Sequence, residues 1–213
     1  MTDRLTKIFN RLPKCKVFAD VGCDHGYIAK AMVDSGKCQR AIISDISAKC
    51  LDKAVQLLSE EIASGVVTAV VSDGFDGVLG CDLALIAGMG GEEICSIISK
   101  ASSLPEKLLL QPMKNCDKVR VTVVEKGYKI ISDSVFFSAG KFYDLISLEK
   151  GCDNLTQEEI EFGRDNVNTP NEDFIKMIKI RIEKLENFLS NDEISDSTRQ
   201  EMTRELIKLK KYV

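Results

Sequence analysis

The chain is short of histidine, proline and basic charge, and it has no long apolar run. Its one histidine, His25, is too little to complete a zinc site with eight cysteines that stand singly at Cys15, Cys23, Cys38, Cys50, Cys81, Cys95, Cys116 and Cys152, never as Cys-x-x-Cys. No metal is therefore expected, and lone, reduced thiols are the default. No segment approaches the roughly twenty consecutive apolar residues of a membrane span. Met1-Thr-Asp-Arg4 lacks the basic-then-apolar pattern of a secretory leader, so a cytoplasmic protein with no membrane partner is expected. Four prolines leave no rigid linker, and no repeat or low-complexity tract occurs. The missing basic charge matters most. The net charge is −4 and the isoelectric point about 5.3, against the basic footprint of a nucleic-acid binder. Residues 151–213 hold ten basic and fourteen acidic side chains, which leaves the first 150 residues balanced.

What is present is a core-forming composition, 44% hydrophobic over 213 residues, with alternating strand and helix patterns. Helical patterns over 3–11, 27–35, 48–63, 92–101 and 116–126 alternate with strand-like runs, which requires a mainly parallel α/β sheet. Two further runs, 128–137 and 141–148, flank Ser138-Ala139-Gly140 and predict a closing antiparallel pair, hence seven strands in all.

The stretch Val17-Phe-Ala-Asp-Val-Gly-Cys-Asp-His-Gly-Tyr-Ile-Ala29 reads as a buried strand breaking into a glycine turn that opens a helix. Gly22 and Gly26 let the backbone approach a ligand, and the helix N-terminus offers unpaired N–H groups. The spacing Asp20-x-Gly22-x-Asp24-x-Gly26 departs from the dinucleotide fingerprint Gly-x-Gly-x-x-Gly, and its carboxylates suit a cationic ligand better than a diphosphate. About twenty residues on, a second strand ends in Asp45-Ile46, where the acid would accept from ribose hydroxyls. The next two strands end in Ser72-Asp73-Gly74-Phe75 and Ala87-Gly88-Met89-Gly-Gly91. Asp73 is placed to accept from an adenine amino group, with Phe75 as an apolar face. S-adenosylmethionine combines adenosine, a positive charge and an amino-acid end, and it is the cofactor expected here.

On Asp20-Val-Gly-Cys-Asp-His-Gly-Tyr27, Ile86-Ala-Gly-Met-Gly-Gly91, Leu108-Leu-Leu-Gln-Pro112 and Gly140-Lys-Phe-Tyr143, the chain resembles the bacterial tRNA adenine-N1 methyltransferases that modify position 22. The resemblance runs through the C-terminal segment and covers nearly the whole chain. Cys23 and Gly26 stand where Ser and Ala are usual in the family, and Met113 where Asn is. The family implies a Rossmann-like methyltransferase domain at 1–150, a C-terminal helical coiled-coil domain at 151–213, and a tRNA substrate held by a protein expected to be a monomer. It implies cofactor contacts from Asp20, Gly22, Asp24, His25, Tyr27, Asp45 and Ile46, and from Ser72, Asp73, Gly74, Gly88 and Met89. Catalytic roles fall on Asp24, Gln111 and Pro112.

Adenine N1 attacks a sulfonium methyl with its own lone pair, so orientation outweighs proton removal. Because N1 lies on the pairing edge, the base must be unpaired or flipped out. Gln111 is suited to reading that edge, with Pro112 fixing the backbone beside it. Asp24 would accept from the adenine amino group or bind the cofactor ammonium. His25 caps the turn or takes part in catalysis, and Tyr27 stacks on the base or packs under the loop. Three basic clusters are candidates for holding RNA: Lys7, Arg11, Lys14 and Lys16; Lys114, Lys118 and Arg120; and Lys208, Lys210 and Lys211.

Beyond Gly151 the apolar period becomes heptad-like. Ile175, Ile178, Ile182, Leu185 and Leu189, then Met202, Leu206, Leu209 and Val213 after a polar break at 190–197, predict an antiparallel hairpin that projects as an arm. Two competing functions stand beside this reading: a small-molecule methyltransferase, which the acidic balance favours, and a non-catalytic module that binds RNA or cofactor, to which intact cofactor residues without methyl transfer would point.

Overall fold

The computed structural model describes residues 1–191 and 194–213. The apolar runs form seven strands: β1 (Val17–Val21), β2 (Arg40–Asp45), β3 (Val67–Val71), β4 (Leu83–Met89), β5 (Lys107–Pro112), β6 (Tyr128–Ser138) and β7 (Lys141–Lys150). They lie in the order β3-β2-β1-β4-β5-β7-β6. The first five are parallel, and β7 runs antiparallel to both neighbours, which makes the sheet Rossmann-like as expected.

Both faces are covered, which is why the central strands read as nearly continuous apolar runs. On one face α1 (Asp3–Arg11), α2 (Tyr27–Asp34) and α3 (Ala48–Leu57) enclose Phe18, Ile43, Leu85 and Leu109. On the other, α5 (Gly91–Lys100) and α6 (Cys116–Glu125) pack on Ala19, Val21, Ile86 and Leu110. The helix expected over 48–63 is interrupted at Leu58 and resumes as α4 (Ser59–Ala63).

Two short helices not predicted from the sequence, α7 (Gln157–Phe162) and α8 (Arg164–Asn168), join the sheet to the C-terminal pair α9 (Glu172–Leu189) and α10 (Asp196–Leu209). α7 starts on a reciprocal cap, in which Thr156 and Glu159 each bond the other's backbone N–H. α9 and α10 run antiparallel, with Arg181 2.7 Å from Glu205 and Arg199 donating to the Leu189 carbonyl. The expected heptad stripe is not buried within this pair alone. Phe174, Ile178, Ile182 and Leu209 share a core with Val135 of β6 and Phe162 of α7, while Val213 is exposed. The root of α9 is also tied to the sheet edge: Asn171 Nδ2 donates to the Val135 carbonyl, and Phe137 N–H donates to Asp173. Only the distal half of the hairpin therefore extends beyond the sheet. Residues 192–193 of the predicted polar break lie outside the described residues.

Arg120 is fully buried rather than part of a basic surface. Its guanidinium forks onto Asp133 at 2.6 and 3.0 Å, pairs with Asp144, and donates to the Ile160 carbonyl, which locks α6, β6, β7 and α7 together. Gly163 makes room for this cluster. At φ +90°, a Cβ there would lie 2.7 Å from Asp133 Oδ1 and 2.9 Å from Arg120 Nη2. Among the described residues, no helix is long and apolar enough to cross a membrane.

Candidate functional site

The carboxyl ends of β3, β2, β1, β4 and β5 form one continuous edge, the place where open α/β sheets bind ligands. Along it stand, in that order, Ser72-Asp73-Gly74, Asp45-Ile46, Asp20 with the turn at Gly22, Gly88-Met89, and Gln111-Pro112. Residues scattered over ninety positions of sequence thus become neighbours.

The turn after β1 is set by its backbone. Gly22 and Cys23 N–H both donate to the Ser44 carbonyl of β2, at 2.8 and 2.9 Å. Gly22, Asp24 and Gly26 all take positive φ. Gly22 lies at φ +74°, a left-handed conformation that strains any residue with a side chain, and a Cβ there would also displace the terminal methyl of Met89. At Gly26 a Cβ would lie 2.9 Å from that of Ala54, so glycine lets α3 pack directly on the turn.

Asp45 is held from two sides: Ser47 N–H donates to Oδ1 at 2.9 Å and Asp24 N–H to Oδ2 at 3.3 Å. Its remaining lone pairs are fixed in direction. Ile46 beside it is 70% exposed, a branched apolar side chain just past a strand end. Asp20 is buried, and burial pushes its pKa from 3.8 up to about 7, against a backbone hydrogen bond at Ala29 and with Asp45 adding to the rise. Asp24 sits half-exposed on the loop, with Lys53 3.2 Å from one oxygen and His25 Nδ1 2.6 Å from the other. Partial burial raises its pKa, but those hydrogen bonds outweigh it and hold the group below the ordinary carboxylate value. The rings of His25 and Tyr27 stack at 5.5 Å and 4°.

Ser72 is buried and donates to the Gly74 carbonyl, whereas Asp73 is open to solvent with Lys100 3.5 Å away. Phe75 departs from its expected place: it is buried with Ile94 and Ile97 beneath α5 and presents no free face. Gln111 also differs from the open, base-reading side chain expected of it. It is fully buried, its Oε1 accepts from Arg4 Nη1 at 2.6 Å, and its Nε2 donates to the Pro112 carbonyl at 3.0 Å. Arg4 and Lys53 were both missed in the sequence. Neither follows a motif: Arg4 reaches the edge from α1, 107 residues from Gln111, and Lys53 reaches Asp24 from α3, 29 residues on.

The basic clusters are quieter than the sequence suggested. Lys208 pairs with Glu161 and Glu205, Lys210 with Glu186, Lys211 with Glu158, and Lys118 with Glu92. Lys7 and Arg11 instead meet neutral partners, the Phe137 carbonyl and the hydroxyls of Ser132 and Ser134, though Asp3 also lies 3.7 Å from Lys7. A groove of about 560 Å³ beside them, lined by Phe136, Asn171 and Asp173, lies along β6 and shares none of the strand-end residues.

The edge passes a test for S-adenosylmethionine. A turn with left-handed backbone at Gly22, a tethered carboxylate at Asp45 and an exposed apolar side chain at Ile46 match a ribose-bearing purine. The buried Asp20 and the half-open Asp24 match a cationic amino-acid end.

A family model described as a methyltransferase domain matches residues 1–146. A Mycoplasma pneumoniae protein provisionally named a tRNA methyltransferase is 30% identical over 177 residues, 79% of this chain and 82% of that one. The Bacillus subtilis tRNA (adenine(22)-N(1))-methyltransferase is 26% identical over 71% of this chain and 66% of its own. Among solved structures, a Streptococcus pneumoniae protein described provisionally as a tRNA (m1A22) methyltransferase superposes with a TM-score of 0.90 at 25% identity, covering 100% of this chain and 99% of that one. That streptococcal protein has also been solved with S-adenosyl-L-methionine, and this form matches with a TM-score of 0.87 at 24% identity.

Proposed function

The chain belongs to the methyltransferase-domain family, and on that premise we propose that it methylates N1 of adenine 22 in tRNA with S-adenosylmethionine. The observation that carries the reading is the doubly tethered Asp45 beside the Asp20-x-Gly22-x-Asp24 turn, with Gln111-Pro112 two strands away along the same edge. When bound, S-adenosylmethionine supplies an electrophilic methyl on a cationic sulfur.

In this reading, Asp45 accepts from the ribose hydroxyls, Ile46 packs on the adenine ring and Asp73 accepts from its amino group. Ser72 and Gly74 shape the backbone there. Asp20 and Asp24 hold the cationic end, with His25 and Tyr27 closing the turn over it. Gly88 and Met89 line the middle of the edge, where the methyl must travel. Gln111 and Pro112 form the side that meets the target base. Adenine N1 needs no base to deprotonate it, so the protein acts by orienting two partners in line and by excluding water. Residues 151–213 make up a helical unit that contacts the body of the tRNA, through the distal half of the α9–α10 hairpin.

The test is to incubate the protein with labelled S-adenosylmethionine and unmodified tRNA and then map the modified nucleotide. One methyl on N1 of adenine 22 is expected. Label on another nucleotide, or on none, overturns the reading.

A further inference from the structure

We propose that Arg4, from α1, is a positioning residue for the target base, which it serves by fixing the Gln111 carboxamide in one orientation. The proposal rests on the adenine-N1 reading above and names a part of the site that the strand-end motifs do not contain.

Three strand ends converge on the Arg4 guanidinium. Nη1 donates to Gln111 Oε1 at the end of β5, the guanidinium carbon lies 5.7 Å from the centre of the Tyr143 ring on β7, and Gly88 of β4 approaches from the third side. A Cβ on Gly88 would already lie 3.5 Å from Nη1. No carboxylate lies within ion-pair distance of Arg4 in the described residues, unlike Lys118 and the lysines of α10. Its hydrogen-bonding partners are the Gln111 oxygen and, more weakly, the Met113 sulfur at 3.9 Å.

The geometry settles which way the amide points. A carboxamide's two ends have the same shape, but a guanidinium has donors only, so the atom facing Arg4 must be the oxygen. The Gln111 nitrogen is then directed away from Arg4, with one N–H on the Pro112 carbonyl and the other toward the Met113 sulfur at 3.5 Å. A thioether is a weak acceptor. Met113 is 44% exposed, so its sulfur covers donors from both Gln111 and Arg4 with a side chain free to swing away. What lies behind it is the Gln111 N–H donor, held in place through the carboxamide oxygen on Arg4. Such a donor suits a ring nitrogen of a purine that presents its N1 to the methyl. Without Arg4 the amide could rotate, and its oxygen would meet that ring nitrogen with like polarity.

The test is a double-mutant cycle on tRNA methylation with Arg4→Met, Gln111→Met and both together, and Arg4→Lys as a conservative variant. S-adenosylhomocysteine affinity and melting temperature are measured for each. Loss of one charge-assisted hydrogen bond corresponds to roughly a ten- to hundred-fold effect. Arg4→Met is expected to lower kcat/KM for tRNA by about that factor while S-adenosylhomocysteine affinity stays within about two-fold. Arg4→Lys, which keeps a donor, should recover part of the loss. In the Gln111→Met background, Arg4→Met should have almost no further effect, because the residues act as one unit. Losses that multiply across the cycle would overturn the proposal, as would an Arg4→Met enzyme with unchanged kcat/KM. Wild-type protein that transfers no methyl to adenine N1 would overturn the functional reading first, and the proposal with it.

Discussion

Replacing Asp20 by asparagine is expected to stabilise the free protein and weaken cofactor binding at once, a combination that separates a ligand-binding carboxylate from a structural one. Asp20 is only 6% exposed, and its burial raises the pKa from 3.8 to about 7. A rise of about 3 units corresponds to at most about 4 kcal/mol. The folded protein keeps a proton that the unfolded chain has released between about pH 4 and pH 7, so this stability is complete below about pH 4 and is lost as pH rises to about 7. Asparagine has nearly the same shape, retains an oxygen for the backbone hydrogen bond at Ala29, and has no charge to bury. Its contribution is therefore flat with pH. If water and neighbouring dipoles relax half or more of the penalty, the variant gains about 1–2 kcal/mol at pH 8, or roughly 2–8 °C in melting temperature for a chain of this size.

Binding should move the other way. A cationic ligand end draws the ionised form of Asp20, so wild-type affinity for S-adenosylhomocysteine should weaken about ten-fold per pH unit below 7. The asparagine variant should lose about ten-fold or more at pH 8 and show no such slope, having no proton to release. Thermal melts from pH 5 to 9 and calorimetric titration with S-adenosylhomocysteine read both effects. A variant that melts lower at pH 8 and binds as tightly as wild type would make Asp20 a structural acceptor and refute the reasoning.

Asp45→Ala removes the acceptor that two backbone N–H groups hold in place, and calorimetry should show S-adenosylhomocysteine binding weaker by about 1.5–3 kcal/mol; an unchanged constant removes Asp45 from the site. Asp24 is best changed to asparagine, since φ +46° strains alanine and Asn tolerates that region. Its ion pairs are half-exposed and worth under about 1 kcal/mol, so the melting temperature should barely move while single-turnover methylation falls at least about ten-fold. Replacing residues 183–204 by a short Gly-Ser linker spares the shared core at Phe174, Ile178 and Leu209, so cofactor affinity should persist. The KM for tRNA should rise about ten-fold if the distal hairpin contacts RNA, and equal KM values would leave the helices with a structural role alone.

Fold and cofactor edge were legible in the sequence because each signal was local. Strand ends marked by Asp45, Asp73 and Gly88 follow apolar runs directly, and the parallel order follows from alternation. What stayed hidden was pairing across long separations. Arg120 read as one of a surface cluster because Asp133, Asp144 and the α7 carbonyls that bury it arrive through the tertiary fold. Lys208 of α10 and Lys210 and Lys211 just beyond it read as free because Glu161, Glu186 and Glu158 lie 24 or more residues away. The apolar spacing of α9 was visible, but its seat on Val135 was not, since a heptad stripe looks alike whether it meets a helix or a sheet edge. Helices α7 and α8 are too short to show periodicity, and the one local signal, Thr156-x-x-Glu159 ahead of α7, went unread.

The acidity that argues against an RNA partner takes on a different meaning once its distribution is known. The carboxylates of Asp73, Asp45, Asp20 and Asp24 fall at β3, β2 and the β1 turn, whereas β4 offers Gly88 and Met89 and β5 offers neutral Gln111 with the unpaired Arg4 over it. The edge therefore runs from anionic to neutral and cationic over five strands. Burial makes a charge on Asp20 costly and so raises its pKa, and Asp45 adds a smaller repulsion. A cationic cofactor relieves it, and the same field turns phosphates away from the cofactor's side and toward the β5 end. In the C-terminal segment Glu158, Glu161, Glu186 and Glu205 act differently, each paired with a lysine. Net charge thus describes neither region. On the proposed reading the strand-end acids meet a cationic cofactor, whereas Glu158, Glu161, Glu186 and Glu205 are spent on lysines within the fold.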